Sequence, residues 1–207
     1  MFDIDLFDNS SETIAQLKAM GRVVICYFSA GSYEDWRADA SDIPVAARGL
    51  KMSGWNELWL DVRDAGVREV MVGRLDLAKT KGCDGVEPDN VDGYSNRTGF
   101  PLTFDDQLDY NKFLASAAHQ RGLSIALKND LDQVKDLEPF FDFAINEECL
   151  QWNECDMLSP FIAKGKAVFH TEYEGDATTV CAKTAPLQLS TLIKRLDLDA
   201  WYIACWE

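Results

Sequence analysis

Short apolar runs of β type recur along the whole chain, and each is followed by a polar or helical stretch long enough for a crossover connection. Eight runs are present, at residues 2–7, 23–28, 58–62, 85–89, 124–128, 143–147, 167–172 and 201–205. Helical spacing fills the intervals. Ile14 and Leu17 are closed by Gly21, and Val67, Val70, Met71 and Leu75 are closed by Gly82. Thr103 and Asp106 have capping-box spacing ahead of Leu108, Leu114, Ala115 and Ala118, which end at Gly122. Val134 with Leu137, and then Leu189, Leu192, Ile193 and Leu196, predict two more helices. This alternation predicts an α/β fold with a parallel sheet, and eight strands suit closure into a (β/α)8 TIM-type barrel. An open doubly wound sheet is the alternative. No GxGxxG or GxxxxGK follows any run, which removes the usual nucleotide-binding reason for an open sheet.

The 207 residues are expected to form one catalytic domain, lean beside the ~250 typical of such barrels and trimmed at the N-terminus, because the chain opens directly on a strand. Acidic side chains outnumber basic ones by 35 to 20, a net charge of −15. That field repels nucleic acid and suits a neutral or cationic polymer. No apolar run approaches the ~20 residues that span a bilayer, so no membrane partner is expected. Met1 is followed by Phe-Asp-Ile-Asp with no basic and hydrophobic leader. Compartment is therefore read from the cysteines. Cys149 with Cys155, and Cys181 with Cys205, are expected as disulfides that staple the loop after Glu147 and the last crossover. Cys26 and Cys83 lie in or beside strands and read as buried thiols. Two sequons, at Asn9 and Asn96, point the same way, toward secretion. Only His119 and His170 accompany the cysteines, without zinc spacing, so neither metal nor cofactor is expected.

In a barrel of this type the active site is built where strands end. Those positions are Asp5 and Asp8; Tyr27, Ser29 and Glu34; Asp61 and Arg63; Glu87, Asp89, Asn90 and Asp92; Lys128, Asn129 and Asp130; Asn146, Glu147 and Glu148; Glu172 and Tyr173; Trp206 and Glu207. Nearly every strand brings a carboxylate to one rim. Carboxylates crowded together shift one another's proton affinity, which lets an acid and a base coexist near neutral pH. This is the chemistry of glycoside hydrolysis. Asp and Asn after a strand often only cap the next helix, a reading that fits Asp8, Asp64 and Asp130. Glu87, Asp89, Glu147 and Glu172 end apolar runs, where an idle charge is costly, and are the functional candidates. His170 shares parity with Glu172 and is expected to pack beneath it.

The segments Val24-Ile-Cys-Tyr-Phe-Ser-Ala-Gly-Ser32, Lys81-Gly-Cys-Asp-Gly-Val-Glu-Pro-Asp-Asn-Val-Asp-Gly-Tyr94, Leu127-Lys-Asn-Asp130, Asn146-Glu-Glu-Cys149 and Val168-Phe-His-Thr-Glu-Tyr173 resemble glycoside hydrolase family 114, the endo-α-1,4-polygalactosaminidases. The resemblance implies endo-acting hydrolysis of an α-1,4-linked galactosamine polymer, with the catalytic pair falling on Asp89 and Glu147. On that reading Asp89 is the nucleophile and Glu147 the acid/base of a retaining reaction, with Glu87 and Glu172 as substitutes. Asp5, Asp61, Asp92 and Glu172 would bind sugar ammonium groups, and Tyr27, Tyr94 and Trp206 would stack on sugar faces. Ser29, Asn90 and Asn129 complete the substrate-binding rim. Lys128 either holds a carboxylate ionised or pairs with Asp130. The protein is expected to act as a monomer. Two rival readings share these residues: a non-catalytic carbohydrate-binding protein on a hydrolase scaffold, and a Mg²⁺-dependent barrel enzyme with a lysine base.

Overall fold

The structure is a computed structural model that describes residues Met1–Trp206 and divides into two compact units, Met1–Ala126 and the chain from Leu127 onward. Glu207, named above with the rim, lies outside the described residues. The first unit runs β1 (Phe2–Asp5), α1 (Ser11–Ala19), β2 (Val24–Ser29), β3 (Ser32–Tyr33), β4 (Arg48–Lys51), β5 (Leu58–Leu60), α2 (Ala65–Lys81), β6 (Gly85–Asp89), α3 (Phe104–Gln120) and the start of β7 (Ser124–Lys128). Strands β1, β2 and β6 are parallel neighbours, and β7 starts beside β6 with Ser124 opposite Gly85. Helix ends follow the sequence signals. Asp64 caps α2 by accepting the amides of Gly66 and Val67, Gly82 closes it in the left-handed region, and Thr103 with Asp106 forms the capping box of α3. The α2 residues Val67, Met71 and Leu75 are fully buried, as are Val24 and Phe28 of β2 and Val86 of β6.

The second unit begins with the last two residues of β7 and continues through α4 (Val134–Leu137), β8 (Phe143–Glu147), α5 (Cys149–Trp152), α6 (Ser159–Ala163), β9 (Val168–Glu172), α7 (Ala177–Thr184), β10 (Ser190–Lys194) and β11 (Tyr202–Ala204). Strands β8, β9 and β10 are parallel; β11 returns antiparallel to β10.

Three elements differ from the sequence reading. The run at 58–62 contributes only β5, which pairs antiparallel with β3 and β4 in a separate three-stranded sheet. The connection from β4 is a tight hairpin closed by the Met52 N–H donating to the Glu57 carbonyl at 2.8 Å, too short for a parallel crossover. Residues expected as a helix around Leu192 and Ile193 form β10 instead. Thr191 and Ile193 are buried while Ser190, Leu192 and Lys194 are half-buried, a period of two that β-branched side chains favour. The run at 201–205 is antiparallel because residues 195–201 cannot supply the dozen residues of a crossover.

All six cysteines are paired: Cys26–Cys83, Cys149–Cys155 and Cys181–Cys205, with Cα separations of 6.1, 4.8 and 5.0 Å. The last two are the pairs expected. Cys26 and Cys83 are buried as foreseen but are not thiols: β2 and the residues leading into β6 run side by side, which brings the two within bridging distance.

Candidate active site

Parallel register sorts the predicted residues of the first unit into rungs. Asp5 lies opposite Tyr27 and Tyr27 opposite Glu87; one rung of the same face further on, Ser29 lies opposite Asp89. Five of the predicted positions therefore share a sheet face by alternation alone. Glu87 is buried, while Tyr27 and Asp89 are half-buried.

The Asp89 backbone is fixed from the β2 side. Its carbonyl accepts the amides of Ala30 and Gly31 at 2.8 and 3.2 Å, and its Oδ1 accepts the Asn90 amide at 2.7 Å. Gly31 is required by this approach: a Cβ built there would stand 1.7 Å from the Asn90 carbonyl oxygen. Asn90 itself takes the left-handed conformation, with φ 59°, and its Nδ2 donates to Ser29 Oγ at 2.9 Å. From there a chain of hydrogen bonds runs through Ser29 Oγ and Ser32 Oγ, 2.5 Å apart, to the Glu57 carboxylate. Burial pushes the Glu57 carboxyl above its ordinary range; the Ser32 bond opposes this, and the charges of Glu34 and Asp89 add to it.

Three helix residues hold the same strand-end loops by their carbonyls. Arg74 Nη1 donates to Ser29 O at 2.6 Å, Tyr110 Oη to Ala30 O at 2.6 Å, and Asn111 Nδ2 to Val91 O at 3.0 Å. Arg74 is 1% exposed and also forms a two-point pair with Asp39, at 2.8 and 2.9 Å. These residues occupy the buried faces of α2 and α3, so apolar periodicity marks their positions but not their role.

Asp5 is engaged by its own loop. It receives Arg37 Nη1 and Nη2 at 3.1 and 2.7 Å and the amides of Phe7 and Asp8 at 2.7 and 2.9 Å. Burial favours the protonated form, but the Arg37 bonds and charge prevail and hold the carboxyl below its usual value. Arg37 also binds Glu34 Oε1 at 2.8 Å, an ion pair the sequence reading did not anticipate. Asp61 pairs with Arg63 at 2.8 and 2.9 Å, and those bonds lower its pKa. Asp92 and Tyr94 are half-buried in the β6–α3 loop, where Tyr94 meets Phe104 edge-on at 5.5 Å.

In the second unit, register places Asn146 opposite His170 and Glu147 opposite Thr171. Glu147 is held at both oxygens. Tyr173 Oη donates to Oε1, and Lys128 Nζ stands 3.7 Å from Oε2. The Glu147 amide donates to Asn129 Oδ1 at 2.9 Å, and Asn146 Nδ2 donates to the same oxygen at 3.2 Å. Lys128 is thus within ion-pair distance of Glu147. The Tyr173 hydroxyl resists ionisation because of burial and the charge of Glu147, so it stays a donor.

Asn129, Asp130 and Glu148 all have positive φ (49°, 44° and 63°) directly after β7 and β8. For Glu148 this backbone carries strain of about 1–2 kcal/mol, the kind of cost that collects at functional sites. Burial raises the Glu148 pKa, with Glu147, Glu172 and Glu174 adding to the effect.

Glu172 is 2% exposed and accepts the Leu150 amide at 2.8 Å and His170 Nε2 at 2.9 Å. The His170 Nδ1 lies 3.0 Å from Thr191 Oγ1, so both ring nitrogens have a partner. His170 is thus the core residue beneath Glu172 that parity indicated. The sulfurs of Cys149 and Cys155 and a His170 ring nitrogen lie within 4.8 Å of one another, but the disulfide leaves no thiolate for a metal. Trp206 follows β11 and is 60% exposed.

Carboxylates held by tyrosine, lysine and backbone donors at the ends of parallel strands are the equipment of a glycoside hydrolase. The family model of glycoside-hydrolase family GH114 matches residues 1–207, and the chain belongs to that family. No curated protein sequence matches it. Among solved structures, Aspergillus fumigatus Ega3 in complex with galactosamine is 44% identical, with a TM-score of 0.93 over 98% of this chain and 86% of that one. The glycoside hydrolase domain of PelA from Pseudomonas aeruginosa is 15% identical, with a TM-score of 0.75 over 99% and 91% of the two chains. Eubacterium rectale Amy13B is 12% identical, with a TM-score of 0.58 over 88% and 50%. The last two likenesses bear on fold alone. The fold class is α/β, of the (β/α)8 barrel type. None of the described helices is long and apolar enough to cross a membrane, and the three disulfides are consistent with an extracellular protein.

Proposed function

We propose that this hydrolase cleaves α-1,4-linked galactosamine polymers internally, with retention of configuration, using Asp89 as nucleophile and Glu147 as acid/base. The observation that carries the substrate class is the 44% identity, over 98% of the chain, with a protein whose structure holds galactosamine. In the first step Glu147 gives its proton to the leaving glycosidic oxygen while the Asp89 carboxylate attacks the anomeric carbon. In the second step Glu147 takes a proton from water, and that water displaces Asp89. The fixed Asp89 backbone and the two-sided hold on Glu147 suit groups that must not move between steps. Residues 1–207 are read as one secreted catalytic domain working as a monomer. Asp61, Asp92, Tyr27, Tyr94, Ser29, Asn90, Asn129 and Trp206 form the substrate-binding set. Asp5 and Glu172 belong to it only where an ammonium group competes with Arg37 or with His170 and the Leu150 amide.

The test is digestion of deacetylated and acetylated galactosamine polymer, with mass spectrometry of the products and NMR of the first anomer formed. Internal cleavage giving an α-anomer first is expected; a β-anomer first sinks retention. Asp89→Asn and Glu147→Gln should each lower turnover at least ~100-fold, and wild-type turnover in either would overturn the residue assignment.

A further inference from the structure

The two glycosylation sequons occupy different environments. Asn9 is half-buried; its Nδ2 donates to the Asp5 carbonyl at 2.9 Å, and its own carbonyl accepts Lys81 Nζ at 2.7 Å. Ser10 and Ser11 of that sequon are the cap and first residue of α1. A sugar on Asn9 would sit on the nitrogen that ties the half-buried side chain to Asp5. Asn96, in the β6–α3 loop, is exposed and has extended backbone, φ −112° and ψ 162°. Its Nδ2 makes only exposed bonds, to Asp92 O at 3.1 Å and Ser95 Oγ at 3.2 Å. Thr98 is buried, and its carbonyl accepts the Leu50 amide at 2.7 Å, which ties the sequon to β4.

Asn96 and Arg97 form part of the wall of a cleft of about 560 Å³, whose other walls include Leu50, Lys51, Met52 and Trp59. Met52 and Trp59 are each only 7% exposed, so the open apolar surface is chiefly Leu50, which beside two cationic side chains suits one face of a sugar ring and its rim of hydroxyls. Asn96 is itself part of the cleft wall, so the first sugar attached to it lies beside the cleft.

We propose that Asn96 is N-glycosylated and that the first sugar of the glycan lies in the cleft bounded by Leu50, Met52 and Trp59. The donor is a lipid-diphosphate-linked oligosaccharide. Nδ2 attacks C1 of its reducing-end sugar; the N–C1 bond forms, the C1–O bond to the diphosphate breaks, lipid diphosphate leaves, and the nitrogen gives up one proton. The cover shields Leu50, which is 44% exposed on β4. This proposal rests on secretion and not on the hydrolytic reading, so its failure leaves that reading intact.

The full chain, secreted from a yeast host, is compared with its Asn9→Gln and Asn96→Gln variants by intact mass and by peptide mapping after enzymatic deglycosylation in heavy-oxygen water. One glycan is expected on the wild type and on Asn9→Gln, and none on Asn96→Gln. An unmodified Asn96 in the secreted protein, or a glycan that persists in Asn96→Gln, overturns the site. Hydrogen exchange tests the cleft: the Leu50–Met52 amides should exchange faster once the glycan is removed, and unchanged exchange overturns the docking.

Discussion

Replacing Tyr173 by phenylalanine removes one hydroxyl that donates to Glu147 Oε1 and leaves the ring in place. A hydrogen bond to a charged group contributes about 1.5–3 kcal/mol. The Glu147 side chain keeps 30% of its surface, so solvent takes over part of the lost bond and the lower end applies. About 1.4 kcal/mol corresponds to a factor of ten in rate. The hydroxyl stabilises the carboxylate over the neutral acid. In the proposed first step Glu147 becomes a carboxylate as the leaving oxygen takes its proton, so the bond strengthens in the transition state. Tyr173→Phe should therefore lower kcat/KM by about tenfold. Lys128→Met should lower it in the same direction, and Lys128→Arg should restore it. The tyrosine stays a donor, because burial and the Glu147 charge hold it un-ionised. The assay is initial cleavage rate at low polymer concentration, with thermal melting to establish folding. A folded Tyr173→Phe enzyme with wild-type kcat/KM would refute the assignment of Glu147 as the acid.

Gly31→Ala must push the Asn90 carbonyl more than an ångström from its place, and with it the Asp89 backbone. Turnover should fall by about 100-fold; wild-type turnover in a folded variant would show that the Asp89 loop is not held here. Removing the Cys26–Cys83 bridge, which spans 57 residues, should cost about 4 kcal/mol in urea unfolding on the chain-entropy estimate, and an unchanged midpoint would contradict it. Asp5 has a folded pKa below its ordinary 3.8, so its contribution to stability is complete above that pH and is lost as pH falls through the lower folded value. Arg37→Met should move acid unfolding, followed by circular dichroism, to higher pH. Cleavage of deacetylated polymer should weaken with added salt while cleavage of acetylated polymer does not; equal salt response would separate the net charge from substrate capture.

How much of this was legible depends on what each element had to satisfy. Strands β6, β7 and β8 match the sequence reading residue for residue because an apolar run ending in a polar pair has one register that buries its middle. The segment around Leu192 misled because four apolar residues at helical spacing also contain the alternation of Thr191 and Ile193. Short runs do not decide between periods. The Cys26–Cys83 bridge joins neighbours that only the strand pairing creates. Arg37, Glu57, Arg74 and Tyr110 carry no motif. Their part at the site comes from loops folding over helices, and the one sequence hint was Gly31 in the Ser-Ala-Gly-Ser segment, where a small residue marks a close backbone approach.

The acidic balance takes on a different meaning once partners are assigned. Counting carboxylates at strand ends suggests that the excess charge is concentrated there to hold a cationic sugar. Yet Asp5 is paired with Arg37, Asp61 with Arg63, and Glu147 with Lys128. A carboxylate paired with a buried or partly buried cation adds little to the distant field, so these three acids contribute little to the attraction exerted by the net −15. Capture of a polycation and recognition of one ammonium group are then separate tasks. The first belongs to the summed field and responds to salt; the second belongs to individual carboxylates and responds to their substitution. Neutralising Asp61 by Asp61→Asn should leave the salt dependence of cleavage nearly as steep as before and change KM for short oligomers instead. If it flattens the salt response, the field is local after all.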